Sequence, residues 1–146
     1  MPEVVKRVPP SSLEAEQSIL GSMLLSENCV LQASGKLKEE DFYTPAHRRI
    51  WRAMEELTTL HKPVDLVTVT ERIEQQGEKL SLEELTYLSD LTQSVPSVKN
   101  LDSYIEIVKE KSKLRRLLEV CGNISDACYV SVDFFTDFSC DSETEA

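Results

Sequence analysis

The sequence predicts an all-α fold, on three observations. Helix-start signals recur along the chain, apolar residues recur at spacings of three and four, and glycine (4) and proline (6) are too few for a turn-rich β-sandwich. The 146 residues make one domain, or one domain with a tail. A domain of that size buries roughly 70% of its unfolded surface, so a core can form without disulfides or metal.

Ser11 and Glu14 are spaced as a capping box that opens a first helix, with Leu13, Ile19, Leu20, Met23 and Leu24 on its apolar side. Val30, Leu31 and Leu37 suggest a short second helix. Thr44 before Pro45 reads as an N-cap with proline in the first helical position. The third helix that follows carries Ile50, Met54 and Leu57 with Ala46 and Ala53, and Trp51 at its edge. Asp65 can cap a fourth, through Leu66, Val67, Val69 and Ile73, which Gly77 stops. The valines and threonines of 64–70 suit a strand as well, and the pattern leaves both open. Ser81 and Glu84 form a second capping box, opening a fifth helix with Leu82, Leu85, Leu88 and Leu91.

Residues 100–129 contain no proline and only Gly122 as an interruption, which predicts one helix of about 45 Å at roughly 1.5 Å per residue. On a helical wheel, Leu101, Tyr104, Ile105 and Val108 cluster on one side. Leu114, Leu117, Leu118, Cys121, Ile124 and Cys128 cluster nearly opposite. The switch falls across the polar run Lys109-Glu110-Lys111-Ser112-Lys113. A helix whose buried stripe changes sides packs against two different things. Its first half closes the core of the preceding helices, and its second half needs a following helix or another molecule. Ile107, Leu114, Cys121 and Cys128 are seven apart, with Leu117 and Ile124 at d-like positions, a spacing that suits helix-on-helix pairing. An irregular kink inside one core is the alternative.

Net charge is −10, from 16 basic and 26 acidic residues, which argues against gripping nucleic acid through an overall field. Six of the acids lie from Asp126 onward with no Lys or Arg among them, so the body is only mildly acidic. The basic cluster is Arg48, Arg49 and Arg52 beside His47. It offers contact with DNA or an acidic partner, against the plainer reading of a solvated face paired with Glu55 and Glu56. Glu14 and Glu16, or Glu39, Glu40 and Asp41, supply carboxylates, but capping and a polar helix approach explain them better than acid–base catalysis. Cysteines at 29, 121, 128 and 140 lack zinc-site spacing, and no metal or cofactor is expected. No run of about 18 apolar residues suggests a membrane span. No secretory h-region is visible, so a cytoplasmic protein with free thiols is expected.

Several blocks resemble the N-terminal domain of bacterial DnaB-type replicative DNA helicases. They are Pro9-Pro10 with Glu14-Ala15-Glu16-Gln17-Ser18-Ile19-Leu20-Gly21; Asp41-Phe42-Tyr43 with His47 and Ile50; and Pro63-Val64-Asp65-Leu66 with Thr68. The longest joins Tyr87-Leu88, Leu91, Pro96-Ser97, Asn100, Tyr104, Ile107-Val108-Lys109-Glu110-Lys111 and Arg115-Arg116-Leu117-Leu118. The likeness covers about residues 9–129, with the blocks in family order. It implies a compact helical head, 11–110, after a flexible arm, 1–10, and then the first helix of a helical hairpin, 111–129. In the family such hairpins pair into a collar on a hexameric ring, and the collar recruits primase and, in some bacteria, a helicase loader. The family continues into a second hairpin helix, a linker and an ATP-driven motor. Here no GxxxxGK[ST] phosphate loop occurs among glycines 21, 35, 77 and 122. The segment 130–146 does not align and is expected to be a disordered or non-family acidic, aromatic tail. It would reflect a truncated or frameshifted product, foreign residues or a divergent ending.

The expectation is therefore a non-catalytic interaction and oligomerisation domain of a replicative helicase. Its partners would be a second copy of itself, the primase C-terminal domain and, in some systems, a loader, with direct DNA contact weak or absent. Leu114, Leu117, Leu118, Cys121, Ile124 and Cys128 are the candidate contact residues. The resemblance favours Leu118, Ile124 and, less strongly, Tyr87. Intrachain core is the competing explanation for each. A free-standing helical regulator that caps helicase or primase is the alternative function.

Overall fold

The computed structural model describes residues 7–77 and 79–145, with side chains through Val130. Among them are six helices: α1 (Leu13–Leu25), α2 (Glu27–Lys36), α3 (Pro45–Thr59), α4 (Leu66–Gln75), α5 (Leu82–Gln93) and α6 (Leu101–Glu145). Short 3-10 turns at Glu39–Asp41 and Val98–Asn100 link α2 to α3 and α5 to α6. No strand occurs among the described residues, so 64–70 resolves as helix. The physical reason is local. Asp65 accepts the Thr68 N–H at 2.8 Å, and the Thr68 hydroxyl accepts the Asp65 N–H at 2.9 Å. That reciprocal cap starts α4, and Val69 and Ile73, one turn apart, bury its inner face.

The chain divides into two compact units, Met1–Ser112 and Lys113–Ala146. In the first, α1 is the central element, packed on α2, α3 and α5, while α4 packs on α3 and α5. Nine of the 13 residues of α1 are buried, so it is enclosed rather than laid on one face. Its cap is Ser12, whose hydroxyl accepts the Ala15 N–H at 3.3 Å, and not the expected Ser11–Glu14 pair. The start at Ser12 places Glu16 in the interior, only 1% exposed. Ser18 and Ser22 are also buried, and their hydroxyls donate to the carbonyls of Glu14 and Ser18 one turn back. Gly21 is where α1 meets α5: a Cβ there would lie 2.2 Å from the Leu91 carbonyl oxygen and 2.5 Å from Val95 Cγ2.

Several apolar residues take other places than their spacing suggested. Trp51 is fully buried instead of lying at an edge, and its ring packs on Phe42 with centroids 5.1 Å apart. Leu13, Leu31, Val67 and Leu82 are exposed. Leu13, Val67 and Leu82 stand in the first turns of their helices and Leu31 in the second turn of its own, beside rather than within the buried stripe. The Ser81–Glu84 box forms as expected, opening α5. Gly77 follows α4 with φ +93°, a conformation that favours glycine.

The first turns of α6 complete this core through Leu101, Ile105 and Val108. Ser112 closes the buried stripe with a polar contact, its hydroxyl donating to Asp41 Oδ1 at 2.8 Å. The other oxygen of Asp41 accepts the Lys38 N–H at 2.9 Å, so one carboxylate fixes the 3-10 turn and meets α6. The second unit is helical through Glu145. The separate acidic tail expected over 130–146 concerns side chains that, beyond Val130, lie outside those described. No helix among the described residues is long and apolar enough to cross a membrane.

Candidate functional site

From Lys113 to Val130, every side chain except the half-buried Arg115 is exposed. This segment is far from uniformly polar. Leu117, Leu118 and Ile124 are each 58% exposed, and Leu114 is 40% exposed. Cys121 and Cys128 are exposed free thiols on the same side as Leu114. All the candidate contact residues of the stripe thus lie uncovered by the described residues of their own chain. Burying one leucine or isoleucine side chain contributes roughly 1.5–3 kcal/mol. A run of them left in water is a substantial unrealised stabilisation, and such patches mark protein contact surfaces.

Tyr87, the remaining candidate, lies in the first unit. There α1, α3, α4 and α5 enclose an apolar groove of about 420 Å³. Leu13, Ile50, Ile73, Leu80 and Leu88 form its walls, and Gln17, Arg49, Glu83 and Glu84 edge it. The half-exposed Leu13 is accounted for here, since it opens onto this groove. Behind Tyr87 lies a relay that sequence reading missed. The Tyr87 hydroxyl is 2.5 Å from His47 Nε2, and His47 Nδ1 is 2.9 Å from Glu16 Oε1. Glu16 also accepts the N–H groups of Tyr43 and Thr44 at 3.1 and 3.3 Å. His47 and Glu16 are both buried. Their reach across the sequence hid the relay, but one signal was visible: Glu16 is three and four residues before Ile19 and Leu20, on the apolar side of α1.

The basic cluster is engaged inside the chain. The Arg48 Nε donates to the Phe42 carbonyl at 2.6 Å, Arg52 pairs with Glu39, and Arg49 pairs with Glu84 at 3.5 Å. These partners differ from the expected Glu55 and Glu56, because Glu56 instead accepts from Arg72 and Gln76 on α4 and its C-cap. His47 leaves the cluster altogether by turning inward. The carboxylates offered by sequence reading serve structure: Glu16 in the relay, Asp41 in the turn and Glu39 on Arg52. Among the described residues, no three His, Cys, Asp or Glu side chains converge to hold a metal ion.

Residues 8–110 match the family model described as the DnaB-like helicase N terminal domain. The chain is 40% identical over 128 residues to the replicative DNA helicase DnaB of Geobacillus stearothermophilus, covering 88% of this chain and 28% of that protein. It is 37% identical over 137 residues to the replicative DNA helicase DnaC of Bacillus subtilis (strain 168), covering 94% of this chain and 30% of that protein. The chain thus spans less than a third of the length of the curated relatives it matches. The crystal structure of the N-terminal domain of DnaB helicase from Mycobacterium tuberculosis superposes with a TM-score of 0.80 and 36% identity, covering 86% of this chain and 90% of that one.

Proposed function

The chain belongs to the DnaB-like helicase N-terminal domain family, and on that premise we propose that it is the part of a replicative helicase that joins it to other proteins. It helps assemble the hexameric collar and recruits primase, and in some systems a loader, at the replication fork in the cytoplasm. ATP hydrolysis and unwinding belong to the motor of the whole helicase. The observation that carries this reading is the uncovered stripe of Leu114, Leu117, Leu118 and Ile124 on α6. A helix gains most of its stability from packing one apolar face, so such a stripe is built for a neighbour. The internal pairing of Arg48, Arg49 and Arg52 supports protein rather than DNA as that neighbour.

Primase is supported by the family relationship and by Tyr87, which stands at the open groove of the head. The test is capture of the cognate primase C-terminal domain on the immobilised chain. Retention by the wild type, reduced in Leu118→Asp and Ile124→Asp, is the expected result. If the wild type retains no primase domain while self-associating normally, the recruitment half of the reading is lost and the assembly half stands.

A further inference from the structure

We infer that the uncovered stripe of α6 takes a second copy of the same helix running in the opposite direction, about a two-fold axis that passes beside Glu119. This deepens the self-assembly reading above and rests on it. The ground is the order of residues along the stripe, Leu114-Arg115-Arg116-Leu117-Leu118-Glu119-Val120-Cys121-Gly122-Asn123-Ile124. Counted outward from Glu119, apolar side chains stand one, two and five places away on both sides, and none stands three or four places away on either side. The pattern therefore reads the same in both directions. A two-fold axis across a helix requires that, because it sets each residue on the one equally far beyond Glu119 in the other copy. Leu114 then meets Ile124, Leu117 meets Cys121, and Leu118 meets Val120. A parallel pair would set each residue on its own equivalent, and would require nothing of the order.

Exposure and charge select the same arrangement. The five aliphatic side chains of the stripe are between 40% and 58% exposed, and Cys121 is an exposed thiol. At about 100° per residue, Glu119 falls on the side of the helix away from the stripe, so the axis brings no like charges into the seam. The charges of α6 are also polarised along its length. Lys109, Lys111, Lys113, Arg115 and Arg116 crowd together with Glu110 as the one acid among them, and every charged residue from Leu117 onward is an acid. Packed helices lie about 8–10 Å apart, close to the screening length of about 8 Å at physiological salt. A parallel pair would hold the two basic runs side by side at that distance, and like charges set opposite each other weaken binding. The antiparallel pair instead moves each basic run onto 122–129, whose one charged residue is Asp126. The seam from Leu114 to Ile124 spans about 15 Å, short for a stable interface, so the pair forms with rising concentration.

Disulfide trapping on the full chain tests direction and register together. In a background of Cys121→Ser, Cys128→Ser and Cys140→Ser, one protein carries Leu114→Cys and another Ile124→Cys. Both positions are exposed, so neither change disturbs a core. With oxidised glutathione, the mixture should give a cross-linked dimer and either protein alone should not. Equivalent positions in an antiparallel pair are about 15 Å apart along the axis, beyond the roughly 7 Å that a disulfide spans between Cα atoms. A second pair should behave alike: Leu117→Cys/Cys121→Ser mixed with the native Cys121 chain, both carrying Cys128→Ser and Cys140→Ser. Cross-links in each protein alone, with none gained on mixing, would mean a parallel pair and overturn the inference while self-assembly stands. An associating wild type with no cross-link in either mixture would overturn it too. If light scattering gives the monomer mass for wild type at every concentration, another molecule covers the stripe, and the assembly reading falls together with this one.

Discussion

Gly21 and Ser112 are positions where one or two atoms decide the packing. A methyl group on Gly21 would overlap the Leu91 carbonyl and Val95, so Gly21→Ala must push α1 away from α5. Such overpacking costs about 1–3 kcal/mol, and urea unfolding should show a midpoint lowered accordingly. Ser112→Ala removes the hydroxyl that meets Asp41 at a buried contact. A loss of about 1–3 kcal/mol is expected by the same measurement, and an unchanged midpoint would mean that the contact contributes nothing. At this scale, what was legible in the sequence was what is local. The Asp65 and Ser81 caps are written within four residues and form as read. The Glu16–His47–Tyr87 relay joins residues 31 and 40 positions apart, which no local pattern can bring together. His47 was read with its arginine neighbours because adjacency in sequence says nothing of which way a side chain turns.

Among the elements, α6 changes character along its length. Its opening turns complete a core with Leu101, Ile105 and Val108, and past Ser112 its apolar residues face outward. The reversal was read from spacing alone, since from Lys113 to Val130 all side chains but that of Arg115 are exposed, on every side of the helix. Less legible was α1, whose apolar stripe understated its burial; an enclosed helix needs no polar face. For the exposed stripe, the seam prediction is specific. Wild type should show mass rising with concentration in light scattering, and a Leu117→Asp/Leu118→Asp double variant should remain monomeric. Equal masses at all concentrations would place the seam elsewhere. Since both side chains are exposed, the double variant should unfold within about 0.5 kcal/mol of wild type, as surface changes do.

For the molecule as a whole, family membership follows from a match over 8–110 and from identity that reaches 40%. The order of short blocks, Asp41-Phe42-Tyr43 before Pro63-Val64-Asp65-Leu66 before the Tyr87 run, carried that identification in the sequence itself. Partner choice was not legible in the same way, because an exposed leucine does not name what covers it. The absence of a phosphate-loop motif among the four glycines leads to the last prediction. The purified 146-residue chain should neither turn over ATP nor unwind a forked duplex, and phosphate release above the buffer rate would contradict it.

Among the described side chains, the outward thiols Cys121 and Cys128 have a practical corollary. They stand beside the leucines whose coverage is in question, whereas Cys29 is sealed in the interior. A maleimide offered to the unmodified protein should therefore alkylate Cys121 and Cys128 quickly in dilute solution and spare Cys29. As protein concentration or an added binder shields the patch, their reaction should slow, so peptide-resolved mass spectrometry would follow occupancy of the surface without any engineered label.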